Sequence, residues 1–478
     1  MKIYKYADDY NHLSSDFKVY AAGKEIKVYK CTVSAYPFNR VWQGTQRSKA
    51  QTEETSYVLL GSNGAVTLEI EAKEAFENVI VRPLANGIKA DIKNNTAVVT
   101  FNQCGQYSVE FDGMHKAIAL FINPEKSFEK AENLIYFGAG VHILDERLEL
   151  QDNQTVLIDE GAVLYGSINA TGKRNIKVLG YGILDNSRMR RANEINGCAV
   201  LAKEKCERSG NPIYFNKCQN VEIDGITIID SSGWNVYLDG CEDVTIDNIK
   251  VIGQWRYNSD GCDFCNCKNS VLKNSFLRTF DDCVVVKGFK QNNDLPVQNI
   301  LVDNCVLWCD WGRALEVGAE TSAPYMKDII FKNCSIIHGS AVMLDIQHGD
   351  RADIENVIFE KINMEYSGEE RKEAIQETED AEYKYFERFE LPVPFNVTSG
   401  TTMWSIDRVS GNLQNVYFKD ISILSPDNVI PVGGEINANS GFIKGVHFEN
   451  IEVNGEKHHF SEFRLRIGAG VSDIYYDK

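Results

Sequence analysis

Two stretches of the sequence carry residue types that could do chemistry. NSDGCDF (Asn258–Phe264) and RTFDDCVVVKG (Arg278–Gly288) place Asp260, Asp263, Asp281 and Asp282 among small and apolar residues. A carboxylate in strand-like sequence is costly to bury unless its charge or its hydrogen bonds are used. Aligned as adjacent turns of a coiled chain, the stretches put Asp260 and Asp282 at the same position, Cys262 over Val284, and Asp281 one residue earlier. Neighbouring strands lie about 4.8 Å apart, so three carboxyls would share one patch and at least one would have a raised pKa. A protonated carboxyl for a leaving oxygen, beside an ionised one to activate water or attack carbon, is what cleavage of a glycosidic bond requires. The competing reading is a ladder of turns in which Asp side chains accept backbone N–H groups. It suits Asp243 and Asp328, which open repeats, better than it suits Asp260 facing Asp281–Asp282. Asp263 lies further along its strand and is expected to support the site rather than react.

The elements that must hold these aspartates are visible as repeats. NVEIDGITII (Asn220–Ile229), DVTIDNIKVI (Asp243–Ile252), SVLKNSFLRT (Ser270–Thr279) and NILVDNCVLW (Asn299–Trp308) each read as a short strand, a polar turn and a second short strand. DIIFKNCSII, NVIFEKINME, NVYFKDISIL and GVHFENIEVN continue the series to Asn454. Their first apolar positions are Val221, Val244, Val271, Ile300, Ile329, Val357, Val416 and Val446, spaced 23 to 30 residues apart with one interval of 59. That interval is two turns, or one turn with an insertion. Strands so short cannot bury a face alone; stacked as coils they build one core, a right-handed parallel β-helix. Asn248, Asn304, Asn333 and Asn450 stand where a turn needs left-handed backbone, with side chains that can hydrogen-bond up the stack. Looser repeats begin at Leu134. Before them, alternating strands such as Ala65–Ala72 and Tyr107–Phe111 predict an antiparallel β-sandwich over residues 1–128, with the β-helix over 129–478. The charged segment 367–394 breaks the rhythm and is expected to be an inserted amphipathic helix, either a lid beside the cleft or a solvated or oligomer-contact insertion.

Composition narrows the function. The chain has 478 residues, is 43% hydrophobic, and has a net charge of −18. A nucleic-acid or anionic-membrane partner is therefore not expected. No run reaches the roughly 18 apolar residues of a membrane span. The N-terminus has no apolar signal segment, so a cytoplasmic location is expected, or secretion if a leader has been removed. Thirteen cysteines, many of them inside apolar strands, are expected to be reduced packing residues. Cys262, Cys265 and Cys267 lack a completing set of ligands for zinc. No metal or cofactor is expected.

NSDGCDF followed by FDDC resembles the NTDGID and DDC signatures of glycoside hydrolase family 28, the polygalacturonase family. It is similar also to family 49, the dextranase and isopullulanase family. The resemblance covers most of the chain from about Leu134. It implies a β-helix, with an N-terminal β-sandwich in the second family. It further implies that Asp281 is the general acid and that Asp260 and Asp282 hold and deprotonate the attacking water, with inversion. Polygalacturonases carry Gly-His-Gly one coil later and Arg-Ile-Lys one coil further, the latter gripping the galacturonate carboxylate. Here WGRALEVGAE (Trp311–Glu320) and SAVMLDIQHGDR (Ser340–Arg351) occupy those places. A carbohydrate substrate is expected, a neutral glycan ahead of polygalacturonate.

Residues on the same edge are candidate sugar contacts. Lys287 and Arg313 could bind hydroxyls or neutralise the aspartates; Glu316, Asp345 and His348 lie on the next two coils. Trp255, Tyr257, Trp311 and Trp404 could cover the apolar face of a sugar ring or serve as packing. A β-helical polysaccharide lyase, a non-enzymatic glycan-binding protein and a homo-oligomer are the readings kept alongside.

Overall fold

The computed structural model describes residues 1–35, 38–39, 52–128, 132–189, 210–366, 373–375, 384–385 and 392–477. From Leu134 onward each coil contributes up to three short parallel strands. In the coil containing NSDGCDF these are Glu242–Asp247, Lys250–Ile252 and Cys262–Cys265. Each pairs in parallel with its counterpart on the next coil: Val244 with Ser270, Val251 with Leu277, and Cys262 with Val284. The first two faces form one 22-stranded sheet and the third an 11-stranded sheet. Inward-facing Val, Ile, Leu, Phe and Cys side chains from all three faces form a single core running the length of the stack. The expected all-β parallel β-helix is borne out.

The turn ladders behave as expected. Asn248, Asn304, Asn333 and Asn450 have φ between 53° and 54°, backbone that Asn tolerates better than most side chains. Their amides bond along the stack: Asn304 Nδ2 donates to Asn274 Oδ1 at 2.8 Å and Asn450 Nδ2 to Asp420 Oδ1 at 2.8 Å.

One register differs from the sequence expectation. Ser270, not Val271, stands beneath Ile300. Ser270 is fully buried and its hydroxyl donates to the Lys268 carbonyl at 3.0 Å. Once a local acceptor satisfies it, a small hydroxyl can take an inward position while Val271 faces out. The long interval is one coil with an insertion, because Val357 pairs directly with Val416. The helix expected over 367–394 is corrected at the described residues. Glu373–Ile375 and Lys384–Tyr385 are antiparallel strands, and the first runs parallel to Phe38–Asn39. Pairing with a distant strand overrides local helix propensity there. The rest of 367–391 lies outside the described residues, and so does the expected lid.

Before the stack, a six-stranded and a five-stranded sheet face each other across a core that includes Val19, Leu68, Phe101 and Leu120. Pairing within them is antiparallel except between Ala117–Asn123 and Thr52–Gly61, which run parallel. The other side of the six-stranded sheet packs Tyr29, Tyr57 and Phe121 on the second face of the stack, against Ile229, Phe276 and Trp308. The second face is therefore covered, and the third, carrying the aspartates, is not part of that contact.

Candidate active site

The aspartates sit where the chain enters the third face. Gly261 N donates to Asp282 O at 2.8 Å and Cys262 N to Cys283 O at 3.0 Å, so Asp260 lies directly across from Asp282 on the next coil. Asn235, one coil earlier, bonds to the Asp260 carbonyl through both its backbone and its side-chain amide, at 2.8 and 2.9 Å. Two glycines make the stacking possible. A Cβ on Gly261 would lie 2.5 Å from Leu277 Cδ2, and one on Gly312 would lie 2.6 Å from Asp282 Oδ1. Within the strands, Cys262 and Phe264 point into the core while Asp263 points out. The outward row continues through Val285, Glu316, Asp345 and Asn396.

Seven carboxyls thus gather around two cations; all are buried except Glu320 and Arg313, which are partly exposed. Lys287 Nζ lies 3.4 Å from Asp260 Oδ2, 3.3 Å from Asp263 Oδ1 and 3.9 Å from Glu320 Oε2. Arg313 lies 3.8 Å from Asp282 Oδ1 and 3.4 Å from Asp345 Oδ2, and its backbone N–H donates to Asp282 Oδ1 at 2.9 Å. Asp281 makes no ion pair among the described residues; its Oδ2 accepts the Asn258 N–H at 3.2 Å. Burial, reinforced by Asp282, raises the Asp281 carboxyl to about 6. Burial raises Asp263 to about 7 against the pull of Lys287. Burial and Asp263 push Asp260 well above the ordinary carboxyl range, and burial and Asp282 do the same to Glu316. Burial works against the Lys287 ammonium, but Glu320, Asp263 and Asp260 outweigh it and hold its pKa high. Such an arrangement offers both a protonated and an ionised carboxyl near neutral pH.

The remaining candidates separate into two groups. Tyr257 and Trp311 form a small aromatic cluster with Phe280, the residue before Asp281; Phe280 and Trp311 stack at 5.8 Å and Tyr257 meets Trp311 edge-on at 5.9 Å. Trp255 is buried, donating its indole N–H to Asp230 Oδ1 at 3.0 Å beneath the Arg256 guanidinium. His348 is also buried, its Nδ1 2.9 Å from Thr321 Oγ1, and burial lowers its pKa to about 4. Both have packing partners rather than an open face. Trp404 is 54% exposed on a loop pinned by Asp350 Oδ1, which accepts the Ile406 and Asp407 N–H groups at 2.6 Å each. Sequence reasoning passed over Trp234 and Glu320. The Trp234 ring lies 4.1 Å from Lys287 Nζ. Extending the Asp260–Asp282 alignment one coil back places Trp234 in the same column, a signal that was available. Glu320 reaches Lys287 through a register shift between Val286 and Gly288, which no sequence pattern announces.

Residues 146–370 match the family model described as glycosyl hydrolases family 28. The probable exopolygalacturonase B of Aspergillus terreus is 26% identical over 210 residues, covering 41% of this chain and 46% of that protein. The probable endopolygalacturonase D of Emericella nidulans is 25% identical over 111 residues, 23% of this chain and 20% of that protein. The chain therefore spans less than half the length of the curated relatives it matches. Among solved structures, Dex49A from Penicillium minioluteum superposes over 100% of this chain and 96% of that one, with a TM-score of 0.67 at 14% identity. The shared fold thus includes the N-terminal sheets. The resemblance read from NSDGCDF and FDDC is borne out by the family 28 match. Among the described residues no helix is long and apolar enough to cross a membrane.

Proposed function

We propose that this protein, carrying the family 28 match over its coil stack, hydrolyses α-linked glycosidic bonds with inversion. Asp281 protonates the leaving oxygen, and Asp260 and Asp282 hold and deprotonate the attacking water. The observation that carries this reading is the unequal distribution of cations. Asp260 has Lys287 and Asp282 has Arg313, whereas among the described residues Asp281 has a backbone N–H and no cation. Asp281 thus has no cation held against it to favour its ionised form, and its carboxyl is raised to about 6, which suits a general acid near neutral pH. Asp263 supports the site through Lys287.

A neutral glycan is the preferred substrate. Both basic side chains of the cluster are engaged by its own carboxylates. Where polygalacturonases carry Arg-Ile-Lys, the outward positions here hold Asp345 and Gln347, and a uronate would meet negative charge. The names of the two curated relatives favour polygalacturonate as the second reading. Incubation with α-glucans, isomalto-oligosaccharides, oligogalacturonides and rhamnogalacturonan fragments, followed by proton NMR, separates these. Release of the inverted anomer from a neutral glycan, lost in Asp281→Asn, supports the proposal. Retention of configuration would refute inversion, unsaturated uronate products would point to a lyase, and release only from oligogalacturonides would refute the substrate class.

A further inference from the structure

We infer that Lys287 is a positioning residue that favours the ionised form of Asp260 against its burial and aims it, rather than a contact for substrate. The inference rests on the reading of Asp260 as a water-activating carboxylate. Lys287 is the penultimate residue of the third-face strand Val284–Gly288 and pairs with Cys265 on the previous coil. Its side chain leans back across Asp263 toward Asp260, so one ammonium spans two carboxyls of the same coil. The register shift after Val286 brings Glu320 to its third side, re-aiming a side chain as strand irregularities do. The Trp234 indole covers it at 4.1 Å, a cation–π contact that a desolvated ammonium favours. Carboxylates and an indole therefore surround Lys287, which is only 5% exposed. A residue meant to grip a ligand would present free N–H groups instead.

The electrostatics give this lysine a specific task. Asp260 and Asp263 both reach Lys287 and are both buried, so burial alone would leave both protonated. A single fixed cation between them opposes that rise for both carboxyls and lowers the pH at which Asp260 ionises. Lys287 is nearly equidistant from both, at 3.4 and 3.3 Å. Asp260 Oδ1 has no hydrogen-bond partner among the described residues and remains available to hold water.

The test titrates Asp260 directly, with Asp labelled at 13Cγ and the Asp260 resonance assigned by its loss in Asp260→Asn. In Lys287→Met the Asp260 midpoint should rise by about one pH unit or more, because the ionised form loses its cation. The acid limb of kcat/KM should rise with it, lowering activity on that limb roughly tenfold while KM stays within about twofold. Lys287→Arg should keep the wild-type midpoint within about half a unit. Glu320→Gln removes a competing anion, so the midpoint should fall. An unmoved midpoint in Lys287→Met would overturn the inference, as would a rise in KM with unchanged pH dependence, which marks a substrate contact. Should Lys287→Met fail to fold, Glu320→Gln decides alone: a lower midpoint sustains the inference and an unmoved one removes it. Full activity in Asp260→Asn would instead defeat the reading of Asp260 itself, a separate result.

Discussion

Gly312 lies directly against the Asp281–Asp282 peptide: a Cβ on it would fall 2.6 Å from the Asp281 carbonyl carbon, the Asp282 nitrogen and Asp282 Oδ1. Even the smallest side chain at this position must push the pair out of line. Gly312→Ala is expected to destabilise the protein by about 1–3 kcal/mol and to lower kcat by on the order of 100-fold, since a misplacement of about an ångström suffices for that. Thermal melting and kcat on the same preparation check this. Wild-type kcat with a lowered melting temperature would show that the aspartates tolerate displacement and that their stacking is structural only.

The general acid can be identified by how much help the leaving group needs. Asp281→Asn should lower kcat on an oligosaccharide by roughly 10²–10⁴-fold. An aryl glycoside with an acidic phenol leaves without protonation, so its rate should fall far less. With the Asp281 carboxyl raised to about 6, wild-type activity should decline above that pH, and the variant should lose this limb. Equal losses on both substrates would assign Asp281 another role.

Stability should carry the same signature. The folded-state pKa of Asp281 is raised above its unfolded value, so its stabilising contribution is fully present below about pH 4 and is lost as the pH rises through about 6. Other buried groups titrate too, among them His348, with the opposite sign. The informative quantity is therefore the difference between wild type and Asp281→Asn. Wild type should lose stability relative to the variant between pH 4 and pH 6, measured by denaturant melts at each pH. Parallel curves would mean that Asp281 titrates normally.

Trp404 projects from a loop that Asp350, Ser322 and Arg351 hold in place, since Ser322 Oγ and Arg351 Nη1 both reach Asp407. A fixed, exposed indole suits a distant ring of a long glycan. Trp404→Ala should raise KM for long oligosaccharides by roughly threefold to tenfold, the magnitude of one aromatic contact. KM for the shortest cleaved substrate and the melting temperature should stay unchanged. An equal change for all chain lengths would place Trp404 beside the scissile bond instead.

Much of this architecture was legible because a coiled stack has a repeating pattern. The inward side chains and the left-handed Asn turns recur from coil to coil, and the aligned sequences of two coils set Asp260 against Asp282. What escaped was information held between coils. Ser270 takes an inward position because the Lys268 carbonyl satisfies it, a local detail that hydrophobicity alone reverses. Glu320 arrives through a register shift, and Phe38–Asn39 recruits Glu373–Ile375 from far along the chain. The roles of Lys287 and Arg313 stayed open in the sequence because their partners depend on which neighbouring carboxyl each long side chain reaches.

The insertion between Glu365 and Val393 leaves both flanking ladders in register: Val342 pairs with Val393 and Val357 with Val416 across it. A rung responds to where an excursion leaves and re-enters, not to its length, and chain-closure entropy grows only slowly with length. The scaffold therefore separates two design variables that most enzyme folds entangle. Residues added at such a gap can reshape what reaches the cleft without shifting the spacing of the carboxyls below. Grafting a segment there is a way to change selectivity while leaving the reacting groups in place.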